Sequence, residues 1–307
     1  MKKILKVIGI IFIVIIIVAV LLFVYLQMQP FVPTDYIEKV ETGGDIEAKY
    51  LKLGDYDVSY MEVDTDETFE KYEIYYPSKM KKTNDKYPLV IFANGTGVKA
   101  SRYRALFEHL ASWGFIVIGN EDSSSWNGYS SAQSLDYMIR QNNNQKSIFY
   151  NKIDVDNIGI SGHSQGGVAV FNAITNYDNS NMYKVAVVLS PANEDLSTFL
   201  NWPYDVTKVK IPVMIASGTE GIFENQIVLP FDNLKQLYEE LNVDKLMIRK
   251  TGYIHRQMIY QADGYVTAWF IWHLYDDKNA SAAFIGSDPE VLSNKLYQDQ
   301  RIDIKEE

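Results

Sequence analysis

The stretch Ile158-Gly159-Ile160-Ser161-Gly162-His163-Ser164-Gln165-Gly166-Gly167 decides how the rest of the chain reads. A brief strand, Ile158 to Ser161, runs directly into a helix that starts at Gln165 and includes Val168 to Ile174. Gly-x-Ser-x-Gly between a strand and a helix predicts a very sharp turn that lifts Ser164 above the sheet edge. Gly162 and Gly166 suit the close backbone approach that such a turn demands. The helix aims its first N–H groups, and the positive end of its dipole, at the same spot. A plain glycine-rich turn is the alternative. The strand before, the helix after and the further small residue Gly167 favour a reactive serine.

Outward from that turn, the pattern is strand and helix in alternation from Pro88 onward. Leu89-Val90-Ile91-Phe92-Ala93 is a continuous apolar run, as a buried parallel strand requires, and it ends in Asn94-Gly95-Thr96-Gly97. Helical spacing over Tyr103 to Trp113, a stop at Gly114 and a strand over Phe115 to Ile118 follow. Further strands are expected at Val185 to Leu189, Val213 to Ala216 and Lys245 to Arg249, with helices at Ala132 to Ile139, Leu234 to Leu241 and Val266 to Tyr275. Such alternation predicts an α/β class with a mostly parallel, doubly wound sheet. Tyr56 to Val63 and Phe69 to Tyr76, around the turn Asp64-Thr65-Asp66-Glu67, predict an antiparallel N-terminal hairpin. One domain is expected over residues 46–307, after a linker over 29–45 that holds Pro30, Pro33 and Gly43-Gly44.

Composition narrows the function classes. The 307 residues are 47% hydrophobic and 22% charged, so the chain can bury a core. Cysteine is absent, which excludes disulfide scaffolds, thiolate metal sites and cysteine nucleophiles. The net charge of −10 argues against nucleic acid as a partner. No metal-ligand spacing accompanies the acidity, and no cofactor is expected.

The N-terminus is the most one-sided segment. Lys2, Lys3 and Lys6 precede an uncharged run of 20 residues, Val7 to Leu26. As a helix it is ~30 Å long, the thickness of a bilayer's hydrocarbon core. A cleaved signal peptide has a shorter apolar core and a small-residue cleavage site. Here the run ends in Val24-Tyr25-Leu26-Gln27-Met28-Gln29, so residues 1–28 are expected to form an uncleaved, single-pass signal anchor. With the lysines held inside, the domain is placed outside the cytoplasm, or secreted if the anchor is cut. The membrane is thus an expected partner. Beyond the three lysines, 26 basic face 39 acidic residues, a charge of −13 that favours solubility.

Leu110-Ala111-Ser112-Trp113-Gly114-Phe115-Ile116-Val117-Ile118 and Gly162-His163-Ser164-Gln165-Gly166-Gly167 give the chain a resemblance to the α/β-hydrolases over roughly residues 45–285. Within that superfamily it resembles the branch of dienelactone-hydrolase-like and cutinase-like bacterial polyester hydrolases, which are serine esterases. The resemblance implies a nucleophile, an acid and a histidine in that chain order. His255, across a short loop from the last strand, stands where the base belongs. His109 comes too early, His163 is read as structural, and His273 lies in an apolar helix. The acid is expected after the strand Val213 to Ala216, where Ser217-Gly218-Thr219-Glu220-Gly221-Ile222-Phe223-Glu224 offers no aspartate. Glu220 is favoured because it is nearer the strand end, with Glu224 as the alternative.

For the oxyanion hole, one donor is the N–H of Gln165, and by resemblance the other is that of Thr96. The loops above the sheet place Trp126 and Trp202 as candidate substrate contacts. The relatives often carry a tryptophan shortly after the proline of Ser190-Pro191; Ala192 and Asn193 stand here. The expected activity is hydrolysis of a small or polymeric carboxylic ester through an acyl-enzyme. An envelope acyltransferase or peptidase, or a non-catalytic binding module of the same fold, are the alternatives.

Overall fold

The computed structural model describes residues 11–19, 21, 22, 25 and 29–305. Nine strands form one sheet in the order β1-β2-β4-β3-β5-β6-β7-β8-β9. They are β1 (Val58–Asp64), β2 (Lys71–Pro77), β3 (Tyr87–Ala93), β4 (Ile116–Asn120), β5 (Ile153–His163), β6 (Tyr183–Leu189), β7 (Val213–Glu220), β8 (Lys245–Ile254) and β9 (Tyr297–Asp303). The six from β4 to β8 are mutually parallel, whereas β1, β2 and β9 run antiparallel to their neighbours.

Helices cover both faces, and the side-chain period of two divides each strand between them. Val90 and Phe92 of β3 and Val185 and Val187 of β6 join a core with α1 (Asp45–Leu51), α2 (Arg104–Ser112) and α7 (Asp263–Tyr275). Leu89, Ile91 and Ala93, with Ala186 and Val188, join a second core with α3 (Tyr129–Asn143), α4 (Gln165–Ala173) and α6 (Phe231–Glu240). A sheet buried on both faces needs continuous apolar strands, which is why β3 is apolar throughout. A short helix, α5 (Glu194–Phe199), lies in the insert between β6 and β7.

The doubly wound sheet and its N-terminal hairpin are present as expected. Strand β9 was not foreseen. Tyr297-Gln-Asp-Gln-Arg-Ile-Asp is polar because an edge strand needs only one covered face. The stretch read as a linker is partly built into the domain. Val32, Tyr36 and Val40 are buried, and the Tyr36 hydroxyl donates to Asp263 at 2.5 Å. Asp263 also receives His109 Nδ1 at 2.8 Å, so His109 is a buried structural group, as its place in the chain suggested.

Residues 11–19, 21, 22 and 25 are helical and exposed. Among the described residues no helix is long and apolar enough to cross a membrane. Much of the stretch expected to be a signal anchor lies outside the described residues.

Candidate active site

Strand β5 ends at His163 and α4 starts at Gln165, so a single residue makes the turn. That residue, Ser164, has φ 60° and ψ −120°, a sparsely populated conformation for a side chain with a Cβ. Such a backbone costs on the order of 1–3 kcal/mol and persists only when its surroundings over-determine it. Here they do. The Ser164 N–H donates to Leu189 O at 2.9 Å, and its carbonyl accepts from Gly167 N at 2.9 Å. A Cβ on Gly162 would sit 2.3 Å from Gly166 O, and one on Gly166 would sit 2.2 Å from Ala93 O. The turn therefore packs backbone on backbone, and Ser164 is the one partly exposed residue from Ser161 to Val170.

His255 follows β8 at the same sheet edge. Its carbonyl accepts a 2.8 Å hydrogen bond from His163 Nε2, and the two rings are 4.6 Å apart. A carbonyl only accepts, so His163 carries its proton on Nε2. Burial, with the nearby His255 adding to it, pushes the His163 pKa well below the ordinary histidine range. It stays neutral and braces the loop that holds His255.

Glu224 is the carboxylate that meets His255, with Oε2 at 2.6 Å from Nδ1. Its other oxygen, Oε1, accepts from Ser190 Oγ at 2.6 Å and from Gly218 N at 2.9 Å. The carboxylate is 1% exposed and thus held by three donors in a dry setting. With the proton on Nδ1 facing Glu224, Nε2 keeps its lone pair. That Nε2 is buried and has no hydrogen-bond partner.

This placement differs from the sequence-based choice of Glu220. Strand β7 runs on to Glu220, which pairs with Ile254 and is exposed at the strand end. Gly221, at φ 84°, then turns the chain, and a π-helical turn over Phe223–Val228 carries Glu224 back beneath the strand ends. The turn after Gly221, rather than the strand end, brings a carboxylate to His255.

The loop after β3 is pinned against the turn. Asn94 Nδ2 donates to Asn120 O and Asp122 O, both at 2.7 Å. Ser125 Oγ donates to Asn94 O at 2.6 Å, while Ser125 N donates to the Gln165 side chain at 3.1 Å. Gly95 N donates to the Tyr103 hydroxyl at 3.1 Å, and Gly97 N to Ser123 O at 2.9 Å. Thr96, between them, is exposed, and neither its N–H nor that of Gln165 has an acceptor among the described residues. The Gln165 donor is free because it opens a helix.

Trp126 and Trp202 are partly buried against the core beneath α3, α4 and α6. Asn172, roughly 12 Å along α4 from Ser164 by helical rise, ties the backbones of Trp126 and Pro203 together. The aromatic ring beside His255 is instead Phe223, 5.1 Å away and 55% exposed. Phe31 touches His163 at 6.3 Å. Neither ring was singled out from the sequence. Phe223 lay within the quoted acid loop, and its spacing of one from Glu224 was the available signal.

Taken chemically, a partly exposed hydroxyl, an imidazole lone pair and two free N–H groups at the carboxyl ends of parallel strands are the parts of acyl transfer. A family model described as PET hydrolase-like matches residues 39–301. No curated protein matches the chain. The chain belongs to the PET hydrolase-like family, the carboxylic-ester hydrolases of the α/β-hydrolase class to which its sheet order and strand-to-helix turn also point.

Proposed function

We propose that the protein is a serine esterase tethered to the outer face of a membrane, with Ser164, His255 and Glu224 as its triad. The observation that carries this reading is the Glu224–His255 hydrogen bond of 2.6 Å, which leaves an unpartnered Nε2 at the sheet edge that bears Ser164. Ser164 Oγ attacks the ester carbonyl as its proton passes to His255 Nε2. The charge on the carbonyl oxygen is met by the N–H groups of Thr96 and Gln165. Glu224 holds the ring and stabilises the imidazolium. The alcohol leaves with the proton from His255. Water, deprotonated by the same Nε2, then releases the acid from the acyl-enzyme.

The missing aspartate after Gly218 is the support for a non-catalytic module; the hydrogen bond from His255 to Glu224 favours the catalytic reading over it. The tether rests on Val7 to Leu26 and the preceding lysines. Full-length protein is expected to react with a fluorophosphonate and to hydrolyse a short nitrophenyl ester, with Ser164→Ala abolishing both. Folded wild-type protein that does neither would sink the esterase reading.

A further inference from the structure

Arg102 Nε donates to Gln29 O at 2.9 Å, and Phe31 N donates to Arg102 O at 2.9 Å. The Phe31 ring packs edge-on against Tyr103 at 5.7 Å, and Tyr103 is the residue whose hydroxyl holds the Gly95 N–H. It also meets His163, next to Ser164. The guanidinium of Arg256, adjacent to His255, lies 4.6 Å over the same ring. The lead-in therefore joins the domain at the rim of the candidate active site. Leu26, where the apolar run ends, is three residues before Gln29, and three residues reach at most about 11 Å.

The rim is also where exposed apolar side chains gather. Among the described residues beyond the N-terminal helix, eleven large hydrophobics are exposed, and six belong to three segments of this edge: Phe199 and Leu200, Ile222, Phe223 and Ile227, and Ile254. Ile254 directly precedes His255, and Gly221 packs against it. Asn193, at the start of α5, donates to Ile227 O and Val228 O, which joins α5 to the acid loop. The other five are scattered singly. A clustered apolar rim around a site marks an interaction surface, whereas single exposed residues do not.

We infer that the mouth of the active site faces the bilayer that holds the tether, and that the substrate class is the long-chain acyl ester of an amphiphile embedded in that leaflet. The inference rests on the tethered-esterase reading and adds orientation and substrate to it. Ile222, Phe223 and Ile254 enter the interface, and Arg102 and Arg256 lie at headgroup level, in an otherwise acidic domain. Guanidinium groups match phosphate geometry. The ester need not leave the bilayer fully: its carbonyl rises to Ser164, water is consumed, and the products are a fatty acid and the corresponding alcohol.

The absence of cysteine makes the test direct. Full-length I222C and, as the control, I148C are labelled with a fluorophore and reconstituted in phosphatidylcholine vesicles holding brominated lipid. Ile148 precedes β5, at the opposite edge of the sheet. Quenching of I222C with none at I148C is expected. A long-chain umbelliferyl ester in the same vesicles as the wild type should be cleaved at least ten-fold faster than in separate vesicles. Floating, fluorophosphonate-reactive protein with an unquenched I222C, or with equal rates in the two arrangements, overturns the inference alone. A chain that stays soluble overturns the tether and the inference together, and failure to react at Ser164 overturns the esterase reading along with the substrate class.

Discussion

Glu224 accepts hydrogen bonds from three partners: His255 Nδ1, Ser190 Oγ and Gly218 N. A glutamine there must turn an NH2 group toward at least one donor, and so disturbs either the ring's tautomer or the loop. Glu224→Gln is therefore expected to lower kcat/KM for a soluble ester by roughly 10³–10⁴-fold. Glu220→Gln, on an exposed strand end, should stay within about two-fold. Equal losses from both, or a silent Glu224→Gln, would refute the assignment. At this scale local pattern and chain order point to Ser164 and His255 as candidates. Between the two glutamates the sequence favoured Glu220, whereas Glu224 is the one that meets His255. That contact depends on Gly221 at φ 84° and on the width of a π-helical turn, which no apolar periodicity records. Ser190 was hidden for a similar reason: at φ 41° it leaves β6 in a conformation that only the folded neighbours dictate.

The strand-to-helix turn owes its shape to contacts between elements. Gly166 fails as alanine because the new Cβ would lie 2.2 Å from Ala93 O, a backbone atom of β3 that cannot give way. Gly166→Ala is expected to cost at least about 3 kcal/mol in urea unfolding, at the upper end for overpacking. Gly252, at φ 86° on β8, makes the contrast: nothing lies within 4 Å of its would-be Cβ. Gly252→Ala meets only backbone strain, about 1–2 kcal/mol. If the two variants unfold alike, close packing is not what dictates the glycines of the strand-to-helix turn. Elements were legible where burial made them apolar, as in β3 and β6. Strand β9 and helix α1 escaped. The first is a polar edge, and the second begins at Asp45, inside a stretch whose prolines and glycines read as linker.

Over the whole molecule, buried charge ties the termini to the sheet. Lys250 on β8 donates to Glu41 O and Gln261 O at 2.7 Å and lies 3.3 Å from Glu47 of α1, which also receives Tyr297 of β9 at 2.6 Å. At the other side of the sheet, Glu73 of β2 is buried with neither carboxyl oxygen bonded. Burial raises its pKa to about 7, with Glu121 adding to the effect and the Tyr60 hydroxyl opposing it. A carboxyl raised above its unfolded value binds a proton more tightly when folded. Stability is then fullest below the unfolded pKa near 4.5 and is lost as pH rises toward 7. Glu73→Gln removes that loss. It should gain roughly 1–3 kcal/mol over wild type at pH 8 and little at pH 4. Thermal unfolding at the two pH values decides it: an equal gain at both, or none at pH 8, goes against the buried-carboxyl account.

On the proposed tethered reading, the wedge of Phe31 among Tyr103, His163 and Arg256 sets where a protease can release the domain. A cut before Gln29 frees an enzyme whose catalytic neighbourhood is intact. A cut after Phe31 removes the ring packed against Arg102, Arg256 and His163, so that release and damage are separated by only a few peptide bonds.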